Sequence, residues 1–214
     1  MKRFLLEKLP VETILEPLLP TMSLSLEQEA ALQHYNNGSN VFVTGPGGTG
    51  KTHLIREIYR AACNANKQIY VTALTGCAAV LLHCKATTLH SWAGIGWGAA
   101  PVEDLLTKIR KNKQTLARWK RTDVLVIDEC SMLSQQLFEK LDFLAKKTRN
   151  NPFLPFGGIQ LIMSGDFYQL PPIGNREECA FCFESDLWPL YFSETTVVLH
   201  RVFRQSDVEY IQIL

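Results

Sequence analysis

The sequence predicts an α/β fold, a parallel β-sheet of about five or more strands with helices on both faces. Short apolar runs recur along the chain as strands buried on both faces would, and helical stretches lie between them. A cluster of glycines sits where the first run meets the helix after it. The 214 residues suit one well-buried domain, or one domain with a small attachment. Hydrophobic residues make up 46% and charged residues 20%, the balance of a soluble globular protein. The 22 basic and 21 acidic side chains nearly cancel, so overall charge says nothing about nucleic acid and only a local patch can.

In chain order, residues 1–22 hold Pro10, Pro17 and Pro20 with little periodicity and read as an N-terminal arm. The stretch LSLEQEAALQHY reads as a helix, with Ser25 as its cap and Glu27, Gln28 and Glu29 suited to its first turn. Val41–Thr44, Ile69–Leu74 and Val124–Ile127 read as buried strands, followed by Ile159–Met163 and Thr196–Leu199. Thr52–Cys63 and Leu133–Lys147 read as helices between them. No internal repeat or low-complexity block interrupts the pattern.

The start, MKRFLLEKLPVETILEPLLP, has no long apolar core and carries Glu7, Glu12 and Glu16, which argues against a secretory signal and a transit peptide. No run approaches the length of a membrane span. The six cysteines then read as thiols of a reduced, intracellular compartment. CAFC, Cys179 to Cys182, has no second pair at zinc-finger spacing; a buried thiol or two is the reading, with a metal site as the alternative.

Gly45-Pro46-Gly47-Gly48-Thr49-Gly50-Lys51-Thr52 fits G-x-x-x-x-G-K-[ST] at every fixed position, after an apolar strand and before a helix. Such a loop curls so that its N–H groups face phosphate oxygens, and the following helix adds positive potential. Residues 45–52 with His53 are the nucleotide-binding candidates. Lys51 would neutralise β- and γ-phosphates, and the Thr52 hydroxyl would ligate Mg²⁺. The ligand expected is a nucleoside triphosphate, ATP.

VLVIDECSML puts Asp128 and Glu129 just past a strand, at the end of the sheet where open α/β folds build their sites. Asp128 would hold Mg²⁺, and Glu129 would act as general base on the attacking water. In LIMSGDFYQLPPI, Gln169 follows another strand, where its amide would meet the γ-phosphate and that water. Pro171-Pro172 fixes the chain as it leaves the sheet. LHRVFRQSD offers Arg201 and Arg204, either a surface arginine or a guanidinium for the transferring phosphoryl group.

The set LSLEQ, GPGGTGKT, LTGCAA, TTLHSWAGIG, VLVIDECSML, GDFYQLPPI and VFRQ resembles superfamily-one DNA helicases in order and spacing. The segment Leu137 to Gln160, LFEKLDFLAKKTRNNPFLPFGGIQ, resembles the signature of the Pif (petite integration frequency) family. The likeness runs from about Leu24 to the end. It implies a RecA-like P-loop NTPase fold for residues 23–214, the first lobe of a 5′-to-3′ helicase whose second lobe would follow. By resemblance, Gln28 reads adenine, Gln169 senses the γ-phosphate and Arg204 reaches the same phosphate, completing a catalytic set with Lys51 and Glu129. Thr75, Gly76, Thr88 and His90 resemble segments that hold single-stranded DNA.

The same resemblance implies forked or structured DNA, including G-quadruplexes and RNA–DNA hybrids, as partners, a monomer, and work in DNA replication, repair, recombination and telomere maintenance. It implies the nucleus or mitochondrion in a eukaryote, and otherwise a cytoplasmic or viral setting. Three positions depart from the family's pattern: Lys85-Ala86 replaces a Gly-rich pair, Trp92 stands where phenylalanine is common, and Gly48 where alanine is common.

Two features bear on DNA without any resemblance. Lys108, Arg110, Lys111, Lys113, Arg118, Lys120 and Arg121 fall in one stretch without an acid, either a solvated helix face or a phosphate contact. Trp92 and Trp97 are candidates for base stacking or for the core; Trp92 reads as core, and Trp97 stays open. Competing functions are a nucleotide-gated binding module, a duplex-DNA pump or a protein-remodelling ATPase. The coexistence of Glu129 and Gln169 favours turnover over mere binding.

Overall fold

The computed structural model describes residues 23–174 and 180–203, so the arm 1–22, Cys179 and Arg204 lie outside the described residues. In chain order the elements are α1 (Leu26–Asn36), β1 (Val41–Thr44), α2 (Lys51–Asn64), β2 (Ile69–Ala73), α3 (Gly76–Leu82), β3 (Thr87–Thr88) and α4 (Leu89–Ala93). Then come α5 (Val102–Lys111), α6 (Lys113–Arg121), β4 (Val124–Asp128), α7 (Gln135–Arg149), β5 (Gln160–Gly165), α8 (Leu187–Phe192) and β6 (Thr196–Val198). The six strands form one sheet in the order β3-β2-β4-β5-β1-β6, every pairing parallel. All strand tips therefore point one way, and the loops after β1, β2, β3, β4 and β5 gather at one end.

Each of the five expected strands is present, within a residue or two of its expected ends. The sixth, β3, pairs Thr87 and Thr88 with Thr72 and Ala73. β4 is buried along its whole length, as a central parallel strand requires. The edge strand β6 alternates exposed and half-buried positions.

Each face of the sheet has its own core. One packs α1, α2 and α3 on aliphatic and small side chains such as Ile55, Ile58, Val43 and Ala62. The other, under α4 to α8, is aromatic: Trp92, Trp119, Phe138, Phe156, Tyr191 and Phe192 all belong to it. Trp92 is 1% exposed and its ring centroid lies 4.5 Å from that of Trp119, so its reading as core holds. Several of the polar atoms inside this face are paired, although the Trp92 indole N–H finds no partner among the described residues. Trp119 Nε1 donates to the Ala93 carbonyl at 3.0 Å. Buried Asp142 accepts from the Phe156 N–H at 2.9 Å and from the Tyr191 hydroxyl, with Lys146 at 2.8 Å. Arg149 spans α6, α7 and the turn before β5 by donating to the carbonyls of Trp119, Lys120, Thr122 and Gly157.

Lys85 takes a positive φ of 53°, so the turn before β3 keeps a backbone shape that glycine favours although the residue is lysine. Cys63, Cys77, Cys84, Cys130 and Cys182 are free thiols, the last three buried. Among the described residues no helix is long and apolar enough to cross a membrane.

Candidate active site

The β1–α2 loop is shaped by its neighbours as much as by its own residues. Gly50 has φ +88°, and a Cβ there would stand 2.5 Å from Gln28 Nε2, so only glycine fits without moving Gln28. Gln28 is 1% exposed. It completes a capping box with Ser25, accepting from the Ser25 N–H at 2.9 Å, while its Nε2 donates to the Gly50 and Thr49 carbonyls at 3.3 and 3.5 Å. The expected adenine reader thus already spends its amide on joining α1 to the loop. Thr49 turns inward and donates to the Pro46 carbonyl at 2.9 Å.

From the other side, the chain leaving β6 crosses the loop. Leu199 N–H donates to the Thr44 carbonyl, and Phe203 N–H to the Gly48 carbonyl, each at 2.8 Å. A side chain on Gly45 would strike the Leu199 carbonyl. Arg201 lies over the Phe203 ring at 4.9 Å. Arg204, the next residue along, is outside the described residues, so its expected role finds no geometry here.

Lys51 is the first residue of α2, with Thr52 and His53 following in the same turn. Its ammonium donates to the Gly45 and Pro46 carbonyls at 2.5 and 3.0 Å, inside the loop. Burial pushes its pKa down, while Asp166, Asp128 and Glu129 pull it back up. Three carboxylates from the tips of β4 and β5 therefore converge electrostatically on one lysine from the tip of β1. His53 Nε2 is buried without a hydrogen-bond partner among the described residues.

Asp128 ends β4 and is buried. Burial pushes its carboxyl up; the Ser164 hydroxyl, the Glu129 N–H and Lys51 oppose that. Glu129 adopts φ 55°, ψ 42°, a left-handed backbone uncommon for a glutamate. Its carboxyl too is pushed up, by burial first and by Asp128 next. The bend at Glu129 starts a 3-10 turn, Cys130–Met132, tucked so closely against β5 that a Cβ on Gly165 would lie 2.7 Å from Cys130 Sγ.

Asp166, just past β5, is a further acid at this end that the sequence motifs do not single out. It is buried, accepts from Gln169 Nε2 at 3.1 Å and from the Tyr168 N–H at 3.1 Å, and faces Lys51 electrostatically. Gln169 itself is exposed and is held back toward the strand tip by this bond. An aspartate directly after an apolar strand, three residues before Gln169, was the available signal.

Farther along the same end, Thr75 caps α3 by accepting from the Ala78 N–H, with Gly76 as the helix's first residue. Thr88 caps α4 by accepting from the Ser91 N–H, and half-buried His90, its pKa lowered by burial, lies in that helix. The expected DNA contacts thus stand at the tips of β2 and β3, at the same end as the expected nucleotide residues but on the far side of β4.

A fully parallel six-stranded sheet with this loop at the head of α2 and acids at the adjacent tips defines a P-loop NTPase domain of RecA-like fold. The PIF1-like helicase family model matches residues 23–212, and the chain belongs to that family. The chain is 42% identical over 197 residues to the ATP-dependent DNA helicase RRM3 of Saccharomyces cerevisiae, covering 89% of this chain and 27% of that protein. Against the ATP-dependent DNA helicase PIF1 of Emericella nidulans it is 46% identical over 183 residues, covering 83% of this chain and 24% of that one. It therefore spans about a quarter of the length of these relatives. The crystal structure of Pif1 helicase from Candida albicans matches at 44% identity with a TM-score of 0.84, over 90% of this chain and 43% of that one. Bacteroides Pif1 in complex with ADP-AlF3 and single-stranded DNA matches at 29% identity with a TM-score of 0.75, over 90% and 45%.

Proposed function

We propose that this chain is the ATP-binding and ATP-hydrolysing lobe of a 5′-to-3′ DNA helicase, with residues 23–214 forming the lobe and residues 1–22 an arm before it. The observation that carries the reading is the placement of Lys51, at the head of α2 after β1, beside Asp128, Glu129 and Asp166 at the tips of the neighbouring strands β4 and β5. A half-buried ammonium beside carboxylates, two of them buried, is what a triphosphate and a divalent cation together would satisfy. The chemistry of the donors suits magnesium: a hydroxyl from Thr52 and a carboxylate from Asp128. Among the described residues no three His, Cys, Asp or Glu side chains form a complete cage. That suits a cation held mainly by water and phosphate oxygens. Bound there, Mg²⁺ would offset charge between the β- and γ-phosphates.

The chain's own residues divide the remaining work. The N–H groups of residues 47–52 cradle phosphates, and Lys51 leaves its carbonyl partners for the phosphate oxygens. Glu129 takes a proton from the attacking water, its strained backbone aiming the carboxylate past the end of β4. Gln169, released from Asp166, reports the γ-phosphate, and Arg204 reaches that phosphate from the segment stapled at Phe203. Gln28 fixes the loop against α1, and contact with adenine requires its amide to exchange those bonds. Thr75, Gly76, Thr88 and His90 hold the backbone of single-stranded DNA. Forked DNA, G-quadruplexes and RNA–DNA hybrids are the structured partners, handled by a monomer in the nucleus or mitochondrion or, outside eukaryotes, in a cytoplasmic or viral setting.

The test is ATP turnover with and without single-stranded DNA, on the 214-residue chain and on a version extended by a second lobe. Turnover raised by the single strand is expected, with strand separation only in the extended version. A response to a protein alone would instead favour a remodelling ATPase.

A further inference from the structure

Between α4 and α5 the chain carries Trp97 into solvent, 93% exposed. A lone exposed apolar residue on a loose tip needs no explanation. This one stands on a built support. Gly94, Gly96 and Gly98 all adopt positive φ, folding the loop sharply. Lys140 reaches from α7 to donate to the Gly98 and Ala100 carbonyls at 3.0 and 3.3 Å. Just before the loop, Arg118 donates to the Trp92 and Ser91 carbonyls at 2.6 and 3.0 Å.

Beside the loop, the elbow between α5 and α6 opens a hollow of about 680 Å³, lined by Lys108, Lys111, Lys113 and Asn112, with Asp104 as its one acid. Lys108 reaches the loop, its ammonium 3.4 Å from where a Cβ on Gly96 would stand. All three lysines are exposed. Among the described residues the ion pairs are Arg60–Glu57 and Lys146–Asp142, so none of the three has an acid within pairing distance. Of the seven cations between 108 and 121, Arg118 is consumed by the α4 carbonyls; these lysines are not.

We propose that Trp97 with Lys108, Lys111 and Lys113 forms an additional single-stranded DNA contact, the indole stacking on an unpaired base while the ammonium groups meet the flanking phosphates. The neighbours of Trp97 choose the occupant. An apolar protein partner would want more apolar surface, but here glycines and lysines surround one ring. In a duplex the base faces are already stacked, so a flat indole gains only from an unpaired base. The position fits a continuing strand, because α4 is capped by Thr88 at one end and by Gly94 of this loop at the other. The inference rests on the single-stranded DNA reading above and adds a contact to it.

The experiment titrates a labelled oligodeoxythymidine with the 214-residue chain across a salt series, by fluorescence anisotropy. It compares wild type, Trp97→Ala and the triple variant Lys108→Gln, Lys111→Gln, Lys113→Gln. Trp97→Ala should bind on the order of tenfold more weakly. The triple variant should lower the slope of log affinity against log salt by about 2, near 0.7 for each lost phosphate contact. The oligonucleotide should also quench an indole emission that Trp97→Ala lacks. Wild-type binding with both variants unchanged overturns this contact and leaves the DNA reading standing. No binding of any single strand by wild type overturns both. Equal weakening on a blunt duplex, without quenching, overturns the stacking.

Discussion

The chain folds two glycine-rich loops at the strand-tip end of its sheet, and they treat their neighbouring side chains in opposite ways. Gly45–Gly50 draws Lys51 inward until its ammonium rests on the loop's own carbonyls. Gly94–Gly98 pushes Trp97 out until almost none of it touches protein. Both loops rely on positive φ, so glycine content alone does not separate them. Their surroundings do. The first is pressed between Gln28 on one side and the Leu199–Phe203 strap on the other, and it feeds a fourteen-residue helix directly. The second is braced from outside by Lys140 and has open space beyond its tip. A loop clamped on both sides holds a lysine inward, whereas one braced from outside displays a side chain.

That contrast can be attacked by substitution, and the largest effect belongs to the enclosed site. Glu129→Gln should keep nucleotide binding while lowering steady-state ATP turnover by about 10²- to 10⁴-fold, the usual range for loss of a general base. Unchanged phosphate release would remove Glu129 from the chemistry. Lys51→Ala should weaken nucleotide binding by roughly a hundredfold, since a charge-assisted contact to phosphate is lost, and calorimetric titration reads it directly.

At the braced loop the effects move from chemistry to stability. Gly94→Ala forces a Cβ to 2.6 Å from Thr115 Cγ2 at φ +71°, and should cost about 1–3 kcal/mol in a denaturant melt. Gly96→Ala meets only the flexible end of Lys108 at 3.4 Å, so about 1 kcal/mol is expected. Trp97→Ala should stay within about 0.5 kcal/mol of wild type. A large loss there would mean the indole is structural after all, and the two loops would no longer be opposites.

Much of this architecture was readable in advance because central parallel strands are buried on both faces and so spell themselves as apolar runs. Val124–Asp128 is the clearest case. β3 escaped notice because Thr87 and Thr88 carry no periodicity; their pairing with Thr72 and Ala73 makes them a strand. The loop at 45–50 and the helix it feeds were readable because a P-loop fixes residue types at fixed spacing. The left-handed backbone of Glu129 was not, since glutamate gives no local hint of it. Nor was the commitment of Gln28 and Gln169 to Thr49, Gly50 and Asp166, which depends on contacts between segments far apart in sequence or folded back at a turn. The basic stretch after Lys108 was visible as charge, but only the fold shows that Arg118 is structural and Lys108 leans on the tryptophan loop.

The bond from Phe203 to Gly48 couples the loop to the segment leaving the sheet. A reshaping of residues 45–50, as the phosphate binding proposed above would bring, would reach that outgoing strap through its anchor. The loop thus has a mechanical outlet already attached where the chain leaves β6.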